Sequence, residues 1–295
     1  MALPMASRRR DPVSGGVSSS WWKNWGPRLF LAWLLGMGLW PPAVADAASP
    51  TDAETVVLPG HRLFLPVVTR HTPGACPQQS QATFAAVPVQ GPPSSRQAAQ
   101  HPDLNLALRG YVPTSALLTL VDVDGPTDSD PPQLADLFSP PRLPPFTAAY
   151  QVYDWDWQCA PDGCRGAPIA FPPVTLLELA ADPGEPLTVP DRATSIWTGH
   201  LKAMVLYAES RRITLAYTRE DTAAVGYLVH LEGICVDVNL LALYRQLDSA
   251  GRTHLPALRG DEVLGTAADA RFQVAIRDTG SFMDPRSRKD WWQGY

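Results

Sequence analysis

Proline is spread unevenly along this chain, and no other feature constrains the fold as much. Twenty-one prolines fall between Pro50 and Pro173, and only five between Val174 and Tyr295. Each proline fixes φ and removes a backbone donor, so a dense supply interrupts helices and interior strands. Residues 61–173 are therefore expected to form an irregular β region of short strands and long surface loops. Residues 174–295 are free to build longer regular elements.

The proline-poor half carries clear strand signals. KAMVLYAE (202–209), RRITLAYTR (211–219), AVGYLVHLEGICVDV (224–238) and RFQVAIRD (271–278) are rich in Val, Ile, Tyr and Thr and partly alternate in polarity, which predicts strands. A helix is predicted over 239–251. Asn239 suits the N-cap, Leu240, Leu243, Tyr244 and Leu247 recur at helical spacing, and Gly251 can close it. The expected fold class is mainly β: a two-layer, antiparallel, sandwich-like C-terminal domain (174–295) with one inserted helix. In the Pro-rich half, HRLFLPVVTR (61–70) reads as a short strand and PPQLADLF (131–138) as one helical turn.

Residues 1–47 read as a secretory signal. A basic segment precedes LFLAWLLGMGLW (29–40), and small residues precede a cut after Ala45 or Ala47. The twelve-residue apolar run is shorter than the roughly 20 residues of a membrane span. An uncleaved anchor is the alternative, and would be the only membrane contact expected. Residues 48–60 read as a flexible leader. An exported location (extracellular, cell surface or periplasmic) makes disulfides the default for Cys76, Cys159, Cys164 and Cys235. Cys159 and Cys164 flank the turn APDG and are expected to pair, which leaves Cys76 for Cys235. A zinc site using the Cys159–Cys164 spacing is the rival reading. The overall net charge of −5 becomes about −8 once the basic residues 1–47 are set aside. An acidic body lacks the footprint of a nucleic-acid binder.

Several clusters have a chemical and a structural reading. Asp122, Asp124, Asp128 and Asp130 suit a calcium loop by composition. The glycine sits at the fourth position and no glutamate closes the run, so a solvated acidic loop is expected. VYDWDWQCAPDGC (152–164) alternates Tyr153, Trp155 and Trp157 with Asp154 and Asp156. Such aromatics can stack on sugar rings, but a core-facing strand above a disulfide is the expected reading. His101 and Asp103 offer a His–Asp pair that loop polarity explains as well. Glu178 and Glu232 are potential paired acids that nothing in the sequence brings together. No cofactor, resident metal or catalytic residue is expected.

Four stretches, LLELAADPGEPLTVP (176–190), GYLVHLEGICV (226–236), LRGDEVLGTA (258–267) and RFQVAIRDTGSFMDP (271–285), together resemble the motifs of the LytM-like zinc peptidases. In the last of them, Arg277, Gly280, Met283, Asp284 and Pro285 match the end of that family's last motif. The other three are similar to further pieces. All four occur in the family's order, covering 174–288. The resemblance implies zinc ligands at Val174, Glu178 and Gln273. Valine cannot ligate and glutamine is a poor zinc ligand. Arg271 replaces the first histidine of the family's H-x-H, and a fixed cation there repels a dication. Only His230 keeps a catalytic position. The implied protein is a degenerate domain that binds a cell-wall peptide or an exported partner through Glu178, His230, Arg271 and Gln273. Two other classes compete: a secreted hydrolase with its site around His101, Asp103 and 152–164, and a structural surface protein with no small ligand. In the latter the ending RSRKDWWQGY (286–295) docks on the body or forms an exposed contact.

Overall fold

A computed structural model of the chain describes residues 74–159 and 161–295. The expected signal sequence (1–47), leader (48–60) and short strand (61–70) lie outside those residues. The described residues form fourteen strands: β1 (Ala85–Pro88), β2 (Tyr111–Pro113), β3 (Phe146–Asp156), β4 (Cys164–Pro168), β5 (Leu176–Ala180), β6 (Pro186–Thr188), β7 (Leu201–Glu209), β8 (Arg212–Ala216), β9 (Tyr227–Glu232), β10 (Ile234–Val236), β11 (His254–Arg259), β12 (Val263–Ala267), β13 (Arg271–Asp278) and β14 (Ser281–Phe282). Three helices accompany them: α1 (Leu106–Arg109), α2 (Val238–Ser249) and α3 (Arg288–Trp291).

One large sheet runs β1-β11-β7-β8-β9-β13-β5-β3-β2, with β14 added to β13 and β4 to β3. A second, three-stranded sheet runs β10-β12-β6. The pairings between these strands are antiparallel. The fold is thus mainly β with large antiparallel sheets and few helices, as expected. Prolines within strands sit mostly at edges: Pro88 in β1, Pro113 in β2, Pro168 in β4 and Pro186 in β6, where a missing donor costs least. Pro256, in β11, lies one strand in from the edge.

The period of two in a strand sorts the faces of the large sheet. On β13, Phe272, Val274 and Ile276 are buried in the main core. Leu177 and Leu179 of β5 and Val229 and Leu231 of β9 stand opposite them in register. The same core takes in Ile234, Val236 and Leu264 of the small sheet, Leu240, Leu241 and Tyr244 of α2, and both Trp291 and Trp292. The C-terminal tryptophans dock on the body: both are 0% exposed, and their Nε1 groups donate to the carbonyls of Asp284 and Pro285. Gln273, Ala275 and Arg277 point the other way, and Ala275 joins Leu106, Val152, Leu176 and Phe282 in a small second cluster.

Three expectations are corrected. The boundary at 173/174 is not a boundary in the sheet, because β5 is bonded to β3 on one side and to β13 on the other. The Pro-rich half does not supply short strands alone. β3 spans eleven residues, since no proline falls between Pro145 and Pro161. The helix predicted over 239–251 runs Val238–Ser249 and is capped by Asp237, whose side chain accepts from the N–H groups of Asn239 and Leu240. Asn239 instead donates to the carbonyls of Ser80 and Ala82. Leu241 joins Leu240 and Tyr244 in the core, while Leu243 and Leu247 stay half-buried. The turn predicted within 131–138 is a single 3-10 turn, Leu134–Leu137.

Candidate functional site

Five side chains form a polar row across the second face of the sheet. The register pairs Glu209 with Arg212, Arg212 with Glu232, Glu232 with Gln273 and Gln273 with Glu178. Arg212 links two acids, with Nη1 at 2.7 Å from Glu209 and Nε at 2.9 Å from Glu232. Burial pushes the Glu232 carboxyl up, against the opposing pull of Arg212. At the other end the Gln273 amide donates to Glu178 Oε2 at 2.9 Å. Thr147 Oγ1 donates to Glu178 Oε1 at 2.7 Å and the Tyr150 hydroxyl to Oε2 at 3.3 Å. Arg271, its side chain 62% exposed, sits 3.5 Å from the same carboxylate. The two acids with no expected connection, Glu178 and Glu232, thus flank Gln273 from neighbouring strands.

His230 shares this face but does not join the row. It pairs with Ala275, two residues along β13 from Gln273, and is wholly buried. Its ring stacks against Phe282. Thr214 Oγ1 donates to the Leu104 carbonyl at 2.7 Å, so its single proton is spent and it accepts from His230 Nδ1 at 3.0 Å. That leaves Nε2 as a buried acceptor with no partner among the described residues. Burial, then the charge of Arg277, lowers the His230 pKa to about 3. The expected groove is therefore corrected: Glu178, Arg271 and Gln273 meet, and His230 is sealed beneath the Leu104 segment.

The donor set does not fit the zinc ion that the resemblance implies. Val174 is a core residue, the Gln273 amide is committed to Glu178, and Arg271 places a fixed cation beside that carboxylate. Among the described residues no group of three or more His, Cys, Asp or Glu converges as a metal cage. In the acidic loop, Asp130 accepts from the N–H groups of Ala193 and Thr194 and from Arg192. Burial opposes its charge, but these donors bring its pKa down to about 2. Lys289 ties down the same loop through the carbonyls of Asp124, Gly125 and Pro126. The four cysteines pair as Cys76–Cys235 and Cys159–Cys164, which uses up the thiols a zinc site would need.

A second constellation lies at the other end of the same face. A cavity of about 400 Å³ is lined by His101, Asp103, Arg109, Asp154, Trp155 and Trp157, with Arg277 and the Gly280 turn closing it. Asp103 bridges the two buried arginines, accepting from Arg109 Nη2 and from Arg277 Nη1 at 2.9 Å. Burial opposes the charge on Asp103, and Arg277 and Arg109 together outweigh it, so its pKa is lowered. Arg277 also donates to the Gly280 carbonyl of its own hairpin. Gly280, at φ +87°, allows that tight turn. His101 Nδ1 accepts the Asp103 backbone N–H at 3.2 Å, so the two side chains do not form a dyad.

The expectation that Tyr153, Trp155 and Trp157 pack into the core is overturned. Trp157 is 44% exposed, and Trp155 lies partly open beside Asp162 and Gly163. β3 runs past its pairing with β5 here, and Tyr153, Trp155 and Asp156 pair with β4 instead. The sequence marked His101, Asp103 and the aromatic run, but not their meeting with Arg109 and Arg277. Arg277 had a signal in the motif at 277–285, whereas Arg109 had none.

The fold and this face define a mainly antiparallel β protein with a self-bonded polar row and a separate aromatic cavity. No protein family, curated protein or solved structure matches the chain. Among the described residues no helix is long and apolar enough to cross a membrane.

Proposed function

We propose that this is an exported, non-catalytic binding protein with a degenerate LytM-like domain, which recognises a peptide of the cell wall or of an exported partner along the polar row. One observation carries the reading. The three adjacent strands β5, β13 and β9 carry Glu178, Gln273 and His230 on one face, where the Gln273 amide bonds to Glu178 and His230 turns to Thr214 instead. Arg271 is the exposed cation of that row and suits a peptide carboxylate. Glu178, held by Thr147, Tyr150 and Gln273, keeps Arg271 in place. Export accords with the two disulfides. The hydrolase reading is weaker, because Arg109 and Arg277 hold the Asp103 carboxylate and His101 caps its own loop.

The test is retention of the purified protein on isolated cell wall. Wild type should be retained and Arg271→Ala released at lower salt. Equal retention of both, or none of either, would reject the groove. Stoichiometric zinc in the purified protein would reject the non-catalytic reading.

A further inference from the structure

We propose that the cavity between His101, Asp154, Trp155 and Trp157 is a binding site for a neutral hexopyranose ring. The site is separate from the polar row and does not depend on it.

Among the described residues, two tryptophan pairs have opposite fates. Trp291 and Trp292 are wholly buried with satisfied Nε1 groups. Trp155 and Trp157 line an open cavity of about 400 Å³, a size within the roughly 300–1,000 Å³ of small-molecule sites. Trp157 is built into place rather than left loose. His101 meets it edge-on at 5.6 Å between ring centroids, and the Arg96 guanidinium lies 5.3 Å from its ring centre. Trp155 donates Nε1 to the Asp162 carbonyl at 3.3 Å. Gly163 lets the loop lie flat against that indole, since a Cβ there would come 2.2 Å from Trp155 Nε1. The Cys159–Cys164 disulfide closes the same loop.

The lining chemistry selects the ligand. Arg109 and Arg277 bring two positive charges, and Asp103 and Asp154 bring two negative ones. Burial lowers the His101 pKa, which favours its neutral ring. A balanced lining offers no net attraction to an anion or a cation. The neutral His101 ring carries its proton on Nε2, because Nδ1 accepts from Asp103. Asp154, its side chain 72% exposed, offers carboxylate acceptors 3.6 Å from Arg109. Donors and acceptors side by side suit hydroxyl groups, which do both. Trp155 and Trp157 are inclined at 64°, so they cannot sandwich a flat ring between parallel faces. A puckered sugar can lay its C–H face on one indole and its edge on the other.

The experiment is calorimetric titration of the purified protein with triacetylchitotriose, cellotriose, maltotriose and inorganic phosphate. At least one of the three sugars should bind. Trp157→Ala should weaken it about tenfold or more at an unchanged melting temperature. Asp154→Asn should weaken it too, and Arg271→Ala should leave it as in wild type, which separates this site from the polar row. The proposal is overturned if no sugar binds wild type up to about 10 mM. It is equally overturned if Trp157→Ala binds as wild type does, or if phosphate binds and the sugars do not.

Discussion

Arg277 and Asp103 stand 174 positions apart in the chain and share one hydrogen-bonded ion pair. Arg277 had been marked by its motif and Asp103 by its histidine neighbour, but nothing in either local string points to the other. The same holds for His230, whose strand was readable and whose burial was not. It is Leu104 and Phe282, brought from distant segments, that seal it. This burial has a measurable consequence. The unfolded histidine binds a proton near its ordinary pKa of about 6.5, whereas folded His230 resists until about 3. The unfolded state therefore binds more protons in that window. The stability is fully present above about pH 6.5 and is lost as pH falls toward 3. Urea unfolding across that range should show His230→Leu with a slope smaller by up to about 1.4 kcal/mol per pH unit. An unchanged slope would place the loss on the carboxylates alone.

At the scale of elements, periodicity located β7, β8 and β13 and ran β9 and β10 together, although these two belong to different sheets. The helix is a second case in which tertiary context decides. Two good caps, Asp237 and Asn239, lie two residues apart, and only one can sit at the first turn. The end of β10 at Val236 decides between them, because the chain leaves the small sheet there and Asp237 is the next residue. Asp237→Ala should lower stability by about 1 kcal/mol, within the usual ~0.5–2 for a lost cap, as read from the urea midpoint. Asn239→Ala should not remove the cap, since its amide serves the Ser80 and Ala82 carbonyls instead. β3 has a similar lesson. Average proline density predicted short strands, but strand length follows the gap between prolines, and 146–156 falls in such a gap.

For the whole molecule, the Pro-rich and proline-poor halves share one sheet and one core. Phe138 from the first half packs against Phe272 from the second, with ring centroids 6.0 Å apart. Cys76–Cys235 adds a covalent tie between segments 159 residues apart. A cross-link over so long a loop restricts the unfolded chain strongly. Removing it with Cys76→Ser and Cys235→Ser together should cost about 2–5 kcal/mol. Thermal unfolding of the oxidised wild type and the double variant measures this. Equal melting temperatures would mean that the shared core alone holds the halves together.

By itself the sequence determined the mainly β class, the positions of β7, β8, β9, β10 and β13 among the proline-poor strands, and the pairing preference of the cysteines. Those properties follow from local chemistry: side-chain alternation, φ restriction and a turn between two thiols. It also marked Val174 as unable to ligate a metal and Gln273 as a poor zinc ligand. Only the tertiary structure decided that Glu178 and Gln273 bond to each other, that His230 is sealed, and that Trp157 faces an open cavity. Each of these depends on which distant segment covers a given face of the sheet. That choice is made by packing across the whole chain, where no local pattern records it.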